Sequence, residues 1–220
     1  MARLDRFCPN LSTQNPVNAA FQLYTTVPSY LAIRVPSGLA LQKAVVLPLA
    51  LATAAAGLYP ENLLDLPLPS TSPTKTGRSI LMWGGSSSVG SCAVQLAVAS
   101  GVRVVSTASV TNHAFVKAMG AEMVFDYKSE TVVEDIVKAL EGKELAGVYD
   151  AISETTSFDA IAAILTKLEA KVPVATVLPA GGDLVRFGAV FGTSALLYHP
   201  AHTHPTNASN SHSLSNLPRT

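Results

Sequence analysis

A turn rich in glycine and serine is the part of this chain whose residue types are best suited to chemistry. The apolar run 79–83 predicts a buried strand, and Gly84, Gly85 and Gly90 frame a serine-rich turn that leads into an apolar helix. A strand–turn–helix unit of this kind directs backbone N–H groups and a helix N-terminus at an anionic phosphate. Ser87 occupies the place of the middle glycine of the dinucleotide fingerprint, so it narrows the backbone's approach and offers a hydroxyl donor. The context predicts a cofactor site, although such turns also join strands to helices for structural reasons alone.

Other kinds of site find little support in the composition. Cys8 and Cys92 are too few for a disulfide framework or a zinc cluster. His202 and His204 lie in a segment without acidic residues, so a metal site there is less expected than a disordered tail. Fifteen basic residues balance fifteen acidic ones, which gives no electrostatic basis for a nucleic-acid partner. We therefore expect no metal and no nucleic acid.

The elements that would position the turn alternate between strand and helix over residues 79–193. Strands are predicted at 79–83, 102–107, 122–126, 147–152, 172–178 and 185–190, and helices at 88–100, 111–119, 131–141 and 155–169. Short connections and nearly continuous apolar strands favour a parallel sheet with helices on both faces. The predicted fold class is α/β, with a doubly wound parallel sheet.

The segments outside this alternation differ from it in composition. Residues 44–58 are apolar but shorter than the ~20 residues that span a bilayer, and they contain Pro48, so we expect a buried, kinked helix. Prolines and hydroxyl residues between 60 and 77 predict a linker without regular structure. The first fifteen residues lack the apolar block of a signal peptide. We therefore expect a cytoplasmic protein without a membrane partner.

Several motifs together resemble the medium-chain dehydrogenase/reductase superfamily. The resemblance is to its zinc-independent group of zinc-type alcohol dehydrogenase-like proteins, quinone oxidoreductases and fungal trans-acting enoyl reductases, and it covers roughly residues 19–194. The segments that carry it are 20–28, 44–58, 83–90, 94–97, 119–121, 124–127 and 190–193.

The resemblance implies a division of the chain into four segments. Residues 1–58 would be a remnant of a GroES-like catalytic domain with a bridging helix, of which only the last strand is kept. Residues 59–77 would be the Pro/Ser-rich linker, 78–194 the NAD(P)-binding Rossmann domain, and 195–220 a low-complexity disordered tail. The chain thus looks like an isolated cofactor half.

The segment after the second strand bears on the choice of cofactor. NAD specificity usually needs an acidic residue there, whereas Ser106–Asn112 contains no carboxylate and tolerates the 2′-phosphate of NADPH. The family often has a lysine near Thr111, which this chain lacks. By resemblance, the phosphates would be held by Ser86, Ser87, Ser88 and Val89, the 2′-phosphate by Ser109, Val110, Thr111 and Asn112, the adenosine by Tyr127, and the nicotinamide ribose by Leu178 and Pro179.

The resemblance also implies a reaction and a substrate cleft. NADPH would reduce an activated C=C bond (enoyl or enone) or a carbonyl of a small organic, polyketide or acyl-thioester substrate, with the protein stabilising the developing enolate charge. The cleft would be lined by Leu51, Ala52, Thr53, Ala54, Ala55, Ala56, Gly57 and Leu58, and by Phe187, Gly188, Ala189, Val190 and Phe191, although both groups suit a plain core as well.

The sequence leaves three matters open. No catalytic acid can be named, because His113 and Tyr59 are available but neither belongs to a recognisable dyad. The alternative to a reductase is a non-catalytic dinucleotide-binding fragment that lacks most of the catalytic domain. A third interpretation is a dimerising subunit that uses the apolar strand near Phe191, so the chain would be a monomer or a homodimer.

Overall fold

Parallel strands buried on both faces form the centre of the molecule. The computed structural model describes residues 6–7, 22–24, 33–178 and 187–189. The strands of these residues are β1 (Arg6–Phe7), β2 (Ile33–Arg34), β3 (Ser79–Trp83), β4 (Arg103–Thr107), β5 (Met123–Phe125), β6 (Leu145–Asp150), β7 (Val174–Thr176) and β8 (Phe187–Ala189). β1 and β2 form an antiparallel pair, and the other six form one sheet.

The order of the strands in the sheet is β5-β4-β3-β6-β7-β8, and every neighbouring pair is parallel. The chain therefore moves outward from β3 through β4 to β5, returns to the other side of β3, and moves outward again. This is the doubly wound order of the Rossmann fold. The predicted fold class is confirmed.

The helices cover the two faces of the sheet. They are α1 (Leu41–Ala44), α2 (Pro48–Leu58), α3 (Ser88–Ala99), α4 (His113–Ala118), α5 (Val132–Leu140) and α6 (Thr155–Lys167), with a 3₁₀ turn at Val110–Asn112. One apolar cluster joins α2, α3 and α4 to the sheet, and a second joins α5 and α6 to the opposite face. Burial of these two clusters is the main favourable term in the stability of the fold.

The strand predicted at 147–152 ends earlier, at Asp150, for a local reason. One carboxylate oxygen of Asp150 accepts hydrogen bonds from the backbone N–H groups of Ile152 and Ser153, at 2.9 and 3.1 Å. These bonds turn the chain out of the sheet, and Ser153 adopts a left-handed conformation with φ of 58°. A side chain that bonds its own backbone in this way competes with the ladder of a strand.

The apolar segment before the linker is interrupted near Pro48, but it is not buried on all sides as predicted. Residues 41–58 are long and apolar enough to cross a membrane, but a turn at Val45–Leu47 divides them and Pro48 begins α2. One side of α2 is buried against α3, whereas Val45 and Val46 are more than half exposed. The expectation of a buried helix was therefore wrong for the outer side, because only one stripe of a surface helix meets the core.

The predicted linker lacks helix and strand, yet it is attached to the domain. Leu63, Leu64 and Leu66 are buried, and the Ser70 N–H donates to the Ala99 carbonyl at 2.8 Å. Proline content excluded regular structure here but did not prevent packing. The predicted tail, 195–220, lies outside the described residues.

Tyr149 fastens α2 to the sheet. Its side chain is fully buried in β6, and its hydroxyl donates to the Thr53 carbonyl at 3.0 Å. Burial raises the pKa of Tyr149 above its usual value, so the hydroxyl remains neutral in the folded protein.

Replacement of Tyr149 by Phe should lower the free energy of unfolding by about 1 kcal/mol, because one buried hydrogen bond is lost. It should also reduce the loss of stability at alkaline pH. Above pH ~10 the unfolded tyrosine ionises while the folded one does not, so stability falls as the pH rises. Urea unfolding at pH 8 and pH 11 measures both effects. Tyr59→Phe is the control for the measurement at pH 8, since its contact with the Ser100 hydroxyl is 3.5 Å long; an equal loss of stability at pH 8 for both changes would contradict the assignment.

Candidate functional site

The carboxyl ends of the parallel strands form one edge of the sheet, and the segments that follow them lie there. These segments are 84–89 after β3, 108–112 after β4, 126–128 after β5, 151–154 after β6 and 177–178 after β7. The strand order reverses between β3 and β6, and in open α/β sheets the crevice at such a point is where ligands bind. The sequence-predicted cofactor residues within the described ranges are therefore brought to a single edge.

The turn after β3 is fixed to the neighbouring strand β4. The Gly84 N–H donates to the Thr107 hydroxyl at 3.0 Å, and the Gly85 N–H donates to the Thr107 carbonyl at 2.9 Å. Gly84 has a φ of 79°, a conformation that side-chain-bearing residues rarely adopt. The turn is thus attached to β4 by two hydrogen bonds.

Ser87 closes this turn and begins α3. Its hydroxyl donates to the Gly84 carbonyl at 2.9 Å and accepts from the Gly90 N–H at 3.0 Å, so it is the N-cap of the helix. The hydroxyl hydrogen of Ser87, which was predicted to be available to a ligand, is thus already donated inside the turn. Ser87 shapes the site instead of donating to it through its side chain.

Three backbone N–H groups remain at the start of α3. In the described part of the chain, those of Ser86, Ser88 and Val89 have no hydrogen-bond acceptor. Ser86 and Val89 are half-buried and Ser88 is exposed, so all three are close to solvent. The first turn of α3 has no acidic residue, which leaves the positive end of the helix dipole uncompensated. Such a donor set fits a diphosphate.

The segment after β4 forms a polar, uncharged surface. The Ser109 hydroxyl accepts from the Asn112 amide at 3.0 Å and lies 3.2 Å from the Thr111 hydroxyl, while Val110 is 65% exposed. At the end of the adjacent strand β5, the ammonium group of Lys128 lies 5.7 Å from the centre of the Tyr127 ring. Sequence analysis named Tyr127 and missed Lys128, although the cation follows the tyrosine directly.

A buried network occupies the other half of the edge. The Asp150 carboxylate is fully buried and accepts from the Ser157 hydroxyl at 2.6 Å, in addition to its two backbone donors. Burial raises the pKa of Asp150, and these hydrogen bonds oppose the increase. The Ser153 hydroxyl accepts from the N–H groups of Val177 and Leu178, at 3.0 and 3.2 Å. The sequence predicted a role for Leu178 but for neither serine. Both serines bond to other groups of the protein, and no short-range motif predicts such contacts.

The residues predicted to line a substrate cleft differ in how far they are buried. Thr53, Ala54, Gly57 and Leu58 are buried, Ala52 and Ala55 are half-buried, and Leu51 and Ala56 are exposed. The buried set packs towards α3, and only the others reach the surface of α2. Phe187, Gly188 and Ala189 form the edge strand β8, while Pro179, Val190 and Phe191 lie outside the described residues.

Groups that titrate or bind metals contribute little else to this edge. The His113 ring nitrogen Nε2 lies 3.1 Å from the Ala108 carbonyl, whereas Tyr59 contacts Ser100 at the far end of α3. Within the described ranges, no three His, Cys, Asp or Glu residues are grouped as a metal site would require.

Comparison with known proteins gives consistent matches. Residues 88–203 match the family model of the zinc-binding dehydrogenases. The chain is 52% identical over 134 residues to a trans-enoyl reductase of Aspergillus japonicus, a match that covers 61% of this chain and 39% of that protein. It is 43% identical over 136 residues to a dehydrogenase of Aspergillus niger, covering 62% and 39%. The chain therefore spans about two fifths of the length of these relatives.

A solved structure supports the same similarity. A mycobacterial protein complexed with NADPH matches with a TM-score of 0.53 and 29% sequence identity, over 70% of this chain and 44% of that one.

The close approach of α3 to the turn gives a test of the site's architecture. A Cβ atom at Gly90 would lie 2.2 Å from the Gly84 carbonyl oxygen. Gly90→Ala should therefore destabilise the protein by about 2 kcal/mol or more, although alanine is intrinsically the better helix former. Urea unfolding measures the change, and Gln95→Ala on the exposed side of α3 should stay within about 0.5 kcal/mol. A neutral or stabilising Gly90→Ala would show that the helix does not depend on this contact.

Proposed function

Since the chain belongs to the zinc-binding dehydrogenase family, we propose that it binds NADPH at the carboxyl edge of its sheet, as part of an oxidoreductase that reduces an activated C=C bond or a carbonyl. The observation that carries the proposal is the set of free N–H groups of Ser86, Ser88 and Val89 at the start of α3. Together with the helix dipole, these donors match the charge and acceptor chemistry of a pyrophosphate.

The preference for NADPH over NADH is supported by the segment after β4. No carboxylate is present between Ser106 and Asn112 to hold the ribose hydroxyls of NAD or to repel an added phosphate. The hydroxyls of Ser109 and Thr111 lie 3.2 Å apart, so one of them can donate to the other and the second keeps its hydrogen for a ligand. This chain lacks the family's lysine near Thr111. Lys128, which follows the neighbouring strand β5, supplies a cation instead.

The reaction class follows from the cofactor and from the relatives. Bound NADPH supplies a hydride. The protein has to bind and orient the substrate and the cofactor and to exclude water. The relatives named above are a trans-enoyl reductase and a dehydrogenase, which favours an enoyl thioester, an enone or a carbonyl compound as substrate. Leu51 and Ala56 are the exposed positions of the predicted cleft on α2.

The assembly and location of the protein are part of the same proposal. We assign it to the cytoplasm, where NADPH is available, as a monomer or a homodimer. The cofactor domain would comprise residues 78–194, preceded by the linker 59–77 and the catalytic-domain remnant 1–58, and followed by the tail 195–220.

A second candidate function is dinucleotide binding without turnover. It is favoured by the donor set of Ser86, Ser88 and Val89, which suits the binding of a phosphate group but performs no chemistry itself. The two candidates differ in catalysis and not in binding, so separate measurements distinguish them.

Ser87→Asp tests the phosphate site without removing the helix cap. Aspartate is as good an N-cap as serine, so α3 should begin at the same residue, but its charge should repel the pyrophosphate. We expect the Kd for NADPH to rise at least about tenfold, which corresponds to ~1.4 kcal/mol. Isothermal titration measures this value. Ser87→Gly is the matched control, because it also loses the hydroxyl donor to the Gly84 carbonyl and is a tolerated N-cap without a charge; unchanged affinity of the aspartate variant would refute the phosphate assignment.

Turnover distinguishes the reductase from the binding fragment. In a mixture of the protein, NADPH and an enone or enoyl thioester, the absorbance of the reduced nicotinamide should fall faster than in the same mixture without the protein. Gly90→Ala, provided that it folds, should slow this loss because the phosphate turn is displaced. Binding of NADPH without any consumption would reject the reductase for this chain and leave the binding fragment.

A further inference from the structure

The carboxyl ends of β6 and β7 are joined by a buried serine. We infer that Ser153 is a positioning residue for the nicotinamide half of the cofactor, and that it acts by clamping Leu178 at the end of β7. This inference rests on the proposed function, because it presumes that a dinucleotide lies across the crevice.

The clamp holds the Leu178 peptide from both sides. The Ser153 hydroxyl oxygen accepts from the Leu178 N–H at 3.2 Å, and the Thr176 hydroxyl donates to the Leu178 carbonyl at 2.7 Å. The Val177 N–H also donates to Ser153, at 3.0 Å. The Leu178 side chain is 52% exposed. A fixed backbone therefore presents an exposed apolar side chain at the edge where the ligand is expected.

Ser153 is held in a costly conformation by Asp150. A φ of 58° is disfavoured for a non-glycine residue, and such strain persists only where surrounding contacts enforce it. Here the Ser153 N–H donates to the Asp150 carboxylate at 3.1 Å, and the Ser153 hydroxyl donates to the Asp150 carbonyl at 3.3 Å. Its hydroxyl oxygen thereby faces the N–H groups of Val177 and Leu178, directly after β7.

The same loop touches the phosphate turn. The Ile152 N–H is held by the Asp150 carboxylate at 2.9 Å, and the Ile152 side chain occupies the space that a Cβ of Gly84 would need, with Cγ1 at 2.5 Å from that position. The two halves of a doubly wound sheet each bind one mononucleotide. Asp150 and its neighbours therefore link the half that holds the phosphates to the half assigned to the nicotinamide.

Capping of α6 does not account for Ser153. The helix has its own capping box, in which Glu154 and Ser157 bond each other's backbone N–H groups. Ser153 takes no part in that box, and its hydroxyl reaches a different strand. Ser157 also contacts Asp150 but does not contact Val177 or Leu178 in the described residues.

The test compares two ligands on two variants of the full chain. NADPH engages both halves of the crevice, whereas 2′,5′-ADP carries only the adenosine and phosphates of one half. Ser153→Ala should weaken NADPH about tenfold and leave 2′,5′-ADP within about threefold, as measured by isothermal titration. Ser100→Ala, a change of a buried serine at the far end of α3 from the crevice, should leave both affinities within about threefold. Equal weakening of both ligands by Ser153→Ala, or no weakening of NADPH, would overturn the inference.

A measurement on the unaltered chain covers the case in which Ser153→Ala does not fold. Hydrogen exchange at Val177 and Leu178 should slow when NADPH binds and should not change with 2′,5′-ADP. Equal exchange with both ligands would overturn the positioning role while NADPH binding still stands. Absence of binding by either ligand would instead refute the proposed function and, with it, this inference.

Discussion

The contact between the start of α3 and the turn after β3 is the constraint on which the rest of the edge depends. Gly90 lies so close to Gly84 that a Cβ atom would be 2.2 Å from its carbonyl oxygen, and the Ser87 hydroxyl bonds both residues. This approach decides where the helix begins and which N–H groups remain free. It also brings α3 onto β3 and β4, where the largest apolar cluster of the described residues is built. A larger residue at position 90 would separate the helix from the turn.

A second set of buried hydrogen bonds organises the opposite half of the crevice. Asp150, Ser153 and Ser157 satisfy one another and the backbone around them, so a carboxylate is tolerated in the core. Such networks are stabilising only when every member has a partner, because an unpaired buried polar group is costly. The two halves therefore differ in kind: one offers free backbone donors, and the other has its donors engaged and presents Leu178.

Local patterns predicted some of these features and missed others. Alternating apolar strands and helices led to the correct fold class, and Gly84, Gly85 and Gly90 identified the turn. The end of β6 was placed two residues late, because the apolar Ala151 and Ile152 continue the pattern of a strand while the Asp150 side chain ends it. The outer side of α2 was assigned to the core because composition does not reveal which residues of a helix face a neighbour. Ser153 was missed because its partners, Val177 and Leu178, are more than twenty residues away.

By itself, the sequence determined the fold class, the position of the glycine- and serine-rich turn after β3 and the absence of a carboxylate after β4. These properties depend on residue type and short-range spacing, which local steric and hydrogen-bonding rules govern. The tertiary structure decided which hydroxyls are free and which are engaged, which side of α2 is buried, and that Asp150 joins two strands at the crevice. These depend on contacts between residues distant in the chain, and only the strand order of the folded sheet brings such residues together.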